Sequence, residues 1–316
     1  MLLGVDAGGT KTRAVIAEYS GSEIAVRWTG SAGPGNVRSE GLQSATANIL
    51  EAVQQAATAS GFQESRGSLP AVDAACLSVA GAGRADEKAA VEAWALDAGL
   101  ASRVRVVSDA DVLLAAAEDG NAGGAKVCLI AGTGSLAIGQ NAAGETARCG
   151  GWGYLIGDQG SGYAIGRSAL EAVADAADGR GPATKLTESI LRHLQLDHPQ
   201  DLIAWCYAGD QQAALPRRRI ASLAPVVFAC HQDAAAQEIV RQAANDLAAQ
   251  VATVCLRLEL INPTVACTGS LLIHQPAFRD SVFKQLEALG IAGANCCVVA
   301  QPEVAALNIA KALLAD

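Results

Sequence analysis

The chain has 316 residues, 51% of them hydrophobic and 17% charged, and its 23 Lys and Arg against 32 Asp and Glu give a formal net charge of −9. This length allows two domains with cores of their own, and the composition excludes a disordered chain. An acidic chain has few cations to neutralise phosphates, so a nucleic-acid partner is not expected. The 33 glycines predict many tight turns.

The nine cysteines are irregularly spaced, and no Cys-x-x-Cys pattern occurs among them. Most lie within apolar runs, so they are interpreted as reduced thiols that pack as small hydrophobic side chains, which predicts a cytoplasmic protein. The N-terminus has no signal-peptide pattern, and no run of 18 apolar residues predicts a membrane span.

The first part of the chain predicts antiparallel strands followed by β-α-β units, and hence a mixed sheet with helices against it. The helix expected over 40–60 has an apolar stripe that contains Leu42, Ala45, Ile49 and Val53. The predicted strands are 2–5, 13–18, 24–29, 74–80 and 104–107, and the other predicted helices are 86–98 and 111–118.

A glycine-rich segment at 120–124 is the predicted linker, and a similar plan restarts after it. The second part predicts strands at 127–131, 136–140, 265–267 and 295–299, a mostly helical stretch over 162–258 with its last helix at 233–257, and a terminal helix at 302–314. Each part begins with a Gly/Thr turn between two apolar strands, which indicates a duplication at the level of the fold.

The two turns, Asp6–Thr12 and Gly132–Ser135, have the chemistry of an anion site. Adjacent glycines let backbone N–H groups approach an anion, and Lys11 adds positive charge. Asp6 closes the first strand, where its carboxylate could hold a hydrated Mg²⁺. An ordinary hairpin turn remains the alternative for either turn taken alone.

Asp109 ends a predicted strand just before a helix, where α/β folds place ligands, and it could act as a general base. The alternative is a helix N-cap, a role for which Ser108 and Asp111 compete. The segment Gly150–Tyr163 has six glycines, three aromatic residues and one carboxylate, and it predicts a functional loop without regular structure. A structural Ω-loop is the alternative there, and the basic run 217–219 is interpreted as a solvated helix start.

Together these motifs make the chain similar to the N-acetylglucosamine kinase group of the BadF/BadG/BcrA/BcrD ATPase family, within the sugar kinase, heat-shock ATPase and actin superfamily. The segments that carry the resemblance are GVDAGGTKT (4–12), AGPGN (32–36), SVAGAG (78–83), SDA (108–110), GTGS (132–135), CGGWGYLIGDQGSGY (149–163), TGS (268–270) and PEVAALNIA (302–310).

The resemblance implies an α/β fold of two ribonuclease-H-like domains, each a mixed sheet flanked by helices, around an interdomain cleft. The expected boundaries are 1–118 for the first domain, 119–300 for the second domain with its helical insert, and 301–316 for a terminal helix that packs back on the first domain.

The resemblance also implies site residues and an activity, ATP-dependent phosphorylation of N-acetylglucosamine at the 6-hydroxyl with Mg²⁺. Asp109 resembles the base that faces the 6-hydroxyl, and Asp6 would face the hydrated Mg²⁺. The residues that resemble sugar contacts are Asn36, Asp109, Gly151, Trp152 and Asp158. The residues that resemble the nucleotide-binding turns are Gly8, Gly9, Thr10, Lys11, Thr133, Gly134, Gly269 and Ser270. We also expect a homodimer.

The chain departs from the family pattern at Gln159, where relatives often have Glu, and at Ala7, where many have Gly. Glucosamine kinase remains the nearest alternative, because the two substrates differ only by an acetyl group and the charge of a free amine. An ATPase activator of an acyl-CoA dehydratase or reductase is a less favoured alternative, since only Cys149 lies near the glycine-rich loop. A sugar sensor without catalysis is also less favoured.

Overall fold

The computed structural model describes residues 1–21, 23–59, 71–116, 126–207, 214–291 and 294–315. The chain divides into two compact units, an N-terminal unit of Met1–Ala116 with Val299–Asp316, and a C-terminal unit of Ala117–Val298. The predicted linker at 120–124 and the predicted boundary between 118 and 119 lie outside the described residues.

The N-terminal unit is built on a five-stranded mixed sheet in the order β3-β2-β1-β4-β5. Strands β1, β2 and β3 are antiparallel neighbours, while β4 and β5 run parallel to β1. Its elements are β1 (Leu2–Ala7), β2 (Thr12–Ser20), β3 (Glu23–Ala32), α1 (Val37–Glu40), α2 (Leu42–Ala59), β4 (Ala74–Val79), α3 (Ala85–Asp97), β5 (Arg103–Val107) and α4 (Asp109–Ala116).

Helix α2 covers one face of this sheet with the predicted apolar stripe. Ile49 and Val53 are buried in one core with Leu3 of β1, and Ala45 of the same stripe is also buried. Leu42 is the exception, because it is the first residue of the helix and remains 44% exposed. The short helix α1, which the sequence did not predict, begins directly after the Gly/Pro loop.

The C-terminal unit repeats the same arrangement with a five-stranded sheet in the order β10-β9-β6-β7-β8. Strands β6, β7 and β8 are antiparallel neighbours, and β9 and β10 run parallel to β6. Its strands are β6 (Lys126–Ala131), β7 (Ser135–Gln140), β8 (Thr146–Gly150), β9 (Thr264–Thr268) and β10 (Asn295–Val298). The equal order and direction of strands in both sheets confirm the predicted duplication and the predicted class of two ribonuclease-H-like α/β sheets.

The predicted helical stretch is confirmed and supplies most of the C-terminal core. Its helices, with the two that follow β9, are α5 (Gly162–Ala177), α6 (Lys185–Leu194), α7 (Asp201–Tyr207), α8 (Ala214–Ala221), α9 (Ala224–Ala229), α10 (Ala234–Leu258), α11 (Ser270–His274) and α12 (Pro276–Ala288). Leu247 and Val251 of α10 are buried against Leu129 of β6, so the long helix lies on one face of the sheet.

The terminal helix α13 (Pro302–Ala312) belongs to the N-terminal unit and covers the face of its sheet opposite α2. Ala306, Leu307 and Ala310 of this helix form a core cluster with Leu2 and Cys76. Among the described helices, none combines the length and the apolar character that crossing a membrane requires. All nine cysteines lie in described residues, and none of them forms a disulfide.

Candidate active site

The first glycine-rich turn joins β1 to β2. It is closed by a hydrogen bond of 3.0 Å from the Gly8 amide to the Lys11 carbonyl oxygen. The middle of the turn is accessible to solvent, because Gly9, Thr10 and Lys11 are exposed. A Cβ at Gly9 would meet no atom within 4 Å. The four predicted phosphate-turn residues of this unit therefore lie together, with backbone and side-chain donors that an anion can reach.

The loop after β3 lies against this turn. The Gly35 amide donates to the Gly8 carbonyl oxygen at 2.9 Å, and Thr12 Oγ1 donates to the Gly33 carbonyl oxygen at 2.8 Å. These two bonds hold the start of the AGPGN segment beside the first turn. The next residue, Asn36, is thereby placed close to the candidate phosphate turn.

Asn36 caps helix α1 with its side chain. Its Oδ1 accepts hydrogen bonds from the amides of Arg38 at 2.9 Å and Ser39 at 3.2 Å. Because this oxygen is occupied, Asn36 can offer a ligand the two donor hydrogens of its Nδ2 group. The position therefore suits a hydrogen-bond acceptor better than a donor.

Asp109 is the first residue of α4, and Ser108 separates it from the end of β5. Its neighbours cap the helix, because Ser108 Oγ accepts from the Asp111 amide at 3.3 Å and Asp111 Oδ2 accepts from the Ser108 amide at 3.0 Å. This reciprocal pair is a capping box. Ser108 and Asp111 thus fill the N-cap role that was the alternative for Asp109, whose Oδ1 accepts one local bond from the Ala110 amide.

The two carboxylates of this helix start differ in their electrostatics. Burial raises the pKa of Asp109 above its ordinary value, and the negative charge of Asp111 adds to that rise. Although burial also acts on Asp111, its pKa is lowered, because Lys88 Nζ lies 2.8 Å from its Oδ2 and Ser108 donates to it. Asp111 is committed to Lys88, whereas Asp109 is the carboxylate with the greater affinity for a proton.

Asp6 lies at the end of β1, opposite Arg13 of β2 and Ser78 of β4 in the sheet register. Its pKa is raised to about 7, chiefly by burial and then by the charges of Glu303 and Asp109, while Ser78 and Arg13 oppose the rise. The Ser78 hydroxyl donates to Asp6 Oδ1 at 3.4 Å. The predicted metal residue and the predicted base are therefore electrostatically coupled in this unit.

Glu303, in the first turn of α13, completes this acidic group. It is 3% exposed, and its Oε1 accepts from Arg13 Nη1 at 3.4 Å. Its Oε2 is buried and has no hydrogen-bond partner among the described residues. Asp6 is thus subject to the negative charges of Glu303 and Asp109, and the guanidinium of Arg13 opposes them.

The second glycine-rich turn joins β6 to β7 and lies against the start of α5. The Gly162 amide donates to the Gly132 carbonyl oxygen at 2.7 Å, and the Gly132 amide donates to the Gly134 carbonyl oxygen at 3.0 Å. Thr133 and Gly134, the predicted phosphate residues, form the middle of this turn. Beside it lie Gly269 and Ser270 at the end of β9.

Gly269 allows the third turn to approach the second closely. It has a φ of +93°, and a Cβ at this position would lie 2.3 Å from the Ala131 carbonyl oxygen. A Cβ at Gly132 would in turn lie 3.7 Å from the Ser270 amide nitrogen. The four predicted nucleotide residues of the C-terminal unit are therefore adjacent in space.

The glycine-rich segment is shorter as a loop than predicted, because Gly150 ends β8 and Gly162 begins α5. Between them, Gly151 has a φ of +69° and Trp152 is 67% exposed. The guanidinium of Arg148 lies 5.5 Å from the centre of the Trp152 ring. These two predicted sugar contacts therefore lie at the surface of the C-terminal unit.

Asp158 is buried in the same loop and adopts a left-handed backbone with a φ of +58°. Its Oδ2 accepts from Arg217 Nη2 at 2.9 Å, and its Oδ1 accepts from the Ser135 amide at 3.5 Å. Burial raises the pKa of Asp158, although the charge of Arg217 opposes this rise. The interpretation of Arg217 as part of a solvated helix start is wrong, because this side chain is an ion-pair partner of a buried carboxylate.

A model of the BadF/BadG/BcrA/BcrD ATPase family matches residues 3–287 of the chain. The chain belongs to this family. The predicted resemblance is confirmed.

The chain is similar to several amino-sugar kinases. An N-acetylmuramic acid/N-acetylglucosamine kinase of Clostridium acetobutylicum is 34% identical over 269 residues, which are 84% of this chain and 83% of that protein. A glucosamine kinase of Vibrio cholerae is 31% identical over 248 residues, which are 78% of this chain and 77% of that protein. A solved structure from Chromobacterium violaceum, provisionally named an N-acetylglucosamine kinase, has a TM-score of 0.74 at 24% identity over 98% of both chains and so shares the fold.

In this BadF/BadG/BcrA/BcrD family member, two charged residues at the site were not predicted. Arg217 lies in a basic run whose composition indicated only solvent exposure. Glu303 lies in the apolar terminal helix, and an acidic residue in such a sequence is a weak signal of a buried role. Both pairings join residues distant in sequence, 59 residues apart for Arg217 with Asp158 and 290 for Arg13 with Glu303.

Proposed function

We propose that the protein is an ATP-dependent kinase that phosphorylates N-acetylglucosamine at its 6-hydroxyl. The observation that carries this proposal is the hydrogen bonding of the Asp109 carboxylate. Its helix is capped by Ser108 and Asp111, and among the described residues its carboxylate accepts only local backbone hydrogen bonds, so it is available to a substrate hydroxyl. The amino-sugar kinases among the relatives support the choice of substrate class.

In this mechanism Asp109 accepts a hydrogen bond from the 6-hydroxyl and takes its proton as the oxygen attacks the terminal phosphorus of ATP, while the bond from that phosphorus to the bridging oxygen breaks and ADP leaves. Phosphoryl transfer needs little covalent chemistry from the protein, so alignment of the attacking oxygen and neutralisation of the phosphate oxygens are its main tasks. The raised pKa of Asp109 suits a group that must receive a proton.

The glycine-rich turns bind the nucleotide in this proposal. Gly8, Gly9, Thr10 and Lys11 form one phosphate turn, and their exposed backbone and side-chain donors support this role. Thr133 and Gly134 form the second phosphate turn, and the adjacent Gly269 and Ser270 bind the remainder of the nucleotide.

Asn36, Asp158, Gly151 and Trp152 contact the sugar in this proposal. The amide oxygen of Asn36 is occupied by its helix cap, so its Nδ2 group would donate to the carbonyl oxygen of an N-acetyl group. A free ammonium is itself a donor and would gain no such bond. This supports N-acetylglucosamine over glucosamine, the substrate of the Vibrio cholerae relative.

The residues around Asp6 fit a hydrated Mg²⁺. Asp6 and Glu303 would supply oxygen ligands, directly or through water, and the buried Oε2 of Glu303 has no partner among the described residues. Carboxylate oxygens are the ligands that Mg²⁺ prefers. The ion would neutralise charge on the phosphate oxygens, while Asp6 and Glu303 hold it in place.

An ADP-release assay across amino sugars and hexoses tests the proposed activity. We expect the highest kcat/KM for N-acetylglucosamine, little activity with 6-deoxy-N-acetylglucosamine, and a 6-phosphate product by ³¹P NMR. A large preference for glucosamine would replace the substrate with the alternative. Activity with the 6-deoxy sugar would contradict the position of transfer.

We further propose that the protein is a homodimer in the cytoplasm. Light scattering of the purified protein gives the mass of the assembly, and fractionation of the producing cell gives the compartment. A monomer, or a secreted product, would contradict these two assignments separately from the activity.

A further inference from the structure

Arg217 joins the second phosphate turn to the glycine-rich loop within the C-terminal unit. Its Nη2 donates to Asp158 Oδ2 at 2.9 Å, and its guanidinium lies 5.9 Å from the centre of the Tyr154 ring. The Arg217 side chain is 26% exposed and that of Asp158 is 4% exposed. The guanidinium is therefore mostly buried and is held in position by a carboxylate and an aromatic ring.

Gly134 is in direct contact with this ion pair. A Cβ at Gly134 would lie 2.3 Å from Arg217 Nη2 and 2.8 Å from Asp158 Oδ2. No side chain fits there, so the guanidinium lies against the backbone of the turn. A residue of helix α8 thus brings a positive charge against this turn.

The guanidinium also has an unused donor. Arg217 Nε is buried and has no hydrogen-bond partner among the described residues. A buried N–H without an acceptor is destabilising, so the position is suited to a ligand that brings an acceptor oxygen. Phosphate oxygens are such acceptors, and arginine is the side chain best matched to them.

We propose that Arg217 binds the phosphate groups of ATP at the Gly132–Ser135 turn, and that Asp158 holds the guanidinium there. The inference rests on the proposed function for the nature of the nucleotide. Asp158 then has a positioning role toward the phosphate, in addition to the sugar contact proposed for it. Arg217 adds a full positive charge to a turn whose own contribution is backbone N–H groups.

The ion pair predicts opposite effects for its two members. Removing Arg217 removes a charge-assisted hydrogen bond to phosphate and should weaken nucleotide binding at least about tenfold. Asp158→Asn keeps an amide oxygen that can still accept from Arg217 and hold the guanidinium in place, but it removes the neutralising charge, so this variant should bind nucleotide as tightly as the wild type or more tightly. If Arg217 served only to stabilise the loop, both substitutions would break the same pair and weaken binding in parallel.

Calorimetric titration with the non-hydrolysable analogue AMP-PNP and Mg²⁺ tests this inference on the intact chain. The variants are Arg217→Ala, Arg217→Lys, Asp158→Asn and the double variant Asp158→Asn/Arg217→Ala. Arg219→Ala is the matched control, because it removes the same charge from the same helix, where Arg219 lies 4.7 Å from the Trp205 ring. The control should bind AMP-PNP as the wild type does.

We expect Arg217→Ala to bind AMP-PNP weakly and Arg217→Lys to bind it with intermediate affinity. Guanidinium chloride at low concentration should restore part of the AMP-PNP affinity of Arg217→Ala. The double variant repairs the unpaired buried carboxylate, so tight binding by it would overturn the proposal. An effect of Arg217→Ala confined to the KM for the sugar would also overturn it. If the wild-type protein binds AMP-PNP but phosphorylates no amino sugar, the proposed function is refuted. The AMP-PNP affinities of the variants still decide whether Arg217 binds phosphate.

Discussion

The carboxylate of Asp6 is expected to destabilise the ligand-free protein at neutral and alkaline pH. Asp6 lies beside Glu303 and Asp109, and burial with these like charges raises its pKa from 3.8 to about 7. Ionising it in the folded state therefore costs more than ionising it in the unfolded chain. Asp6→Asn removes this cost and keeps an oxygen that can accept the hydrogen bond from Ser78.

The sign of the pH dependence follows from proton binding. Between pH 3.8 and about 7 the folded protein holds a proton on Asp6 that the unfolded chain has lost, so this group lowers stability progressively as the pH rises through that range. At 1.36 kcal/mol for each pKa unit, the full difference corresponds to about 4 kcal/mol. The remaining exposure of Asp6 makes this an upper limit.

Urea unfolding of wild type and Asp6→Asn, in EDTA and at a series of pH values, measures this effect. The variant should equal the wild type near pH 4 and exceed it by roughly 1–4 kcal/mol above pH 8. Asp97→Asn, an exposed position at the end of α3, is the control and should show a constant difference. Glu303→Gln should move the transition to lower pH, because Glu303 makes the largest charge contribution to the raised pKa.

Two results would refute this reasoning. A difference between Asp6→Asn and wild type that does not change with pH would mean that Asp6 titrates normally. A variant less stable than the wild type at pH 8 would mean that the carboxylate makes a favourable contact. Addition of Mg²⁺ at pH 8 should stabilise the wild type and narrow the gap, because a bound cation offsets the same charge repulsion.

Two further predictions concern single carboxylates. Asp109→Asn should lower kcat by about 10²- to 10⁴-fold, the range for loss of a general base, with sugar affinity and Tm near those of the wild type; near-normal turnover would place the base elsewhere, with Asp111 the next candidate. Asp233→Ala should cost roughly 2–3 kcal/mol in urea unfolding, because Asp233 caps α10 and accepts hydrogen bonds from the amides of Lys185 and Ala236 at 2.9 and 3.0 Å. Burial raises the pKa of Asp233 but these bonds lower it overall, so its contribution should be fully present above pH 3.8 and should shrink as the pH falls below that value through the lowered pKa of the folded state. An equal cost at about pH 3 and pH 7 would contradict this.

Most of the strands could be predicted because each is a short apolar run next to a glycine turn. β4 is the clearest case, with all six residues buried. β8 was missed because it alternates exposed and buried positions at the edge of the sheet and has a polar sequence, TARCG. An edge strand buries one face only, so its sequence resembles a loop.

The candidate site residues that lie at the ends of strands could be predicted from the sequence. Asp6 lies at the carboxyl end of β1 and Asp109 lies just after β5. Both strands run parallel to β4, so both carboxylates come to the same edge of the sheet. The partners Arg217 and Glu303 were not predictable in this way. Their contacts depend on which helix lies over which turn, and no local pattern encodes that.

The two glycine turns show why similar sequences can have different physical roles. At Gly9 a Cβ would meet nothing within 4 Å, so the absence of a side chain leaves open space that a ligand can enter. At Gly134 the same space is filled by the Arg217–Asp158 pair, and the glycine serves contacts within the protein. The first turn therefore has its own lysine at the crest, Lys11, whereas the second receives its positive charge from a distant helix. If both turns bind phosphate as proposed, the two sheets share the backbone of the anion site and differ in the residue that supplies its positive charge.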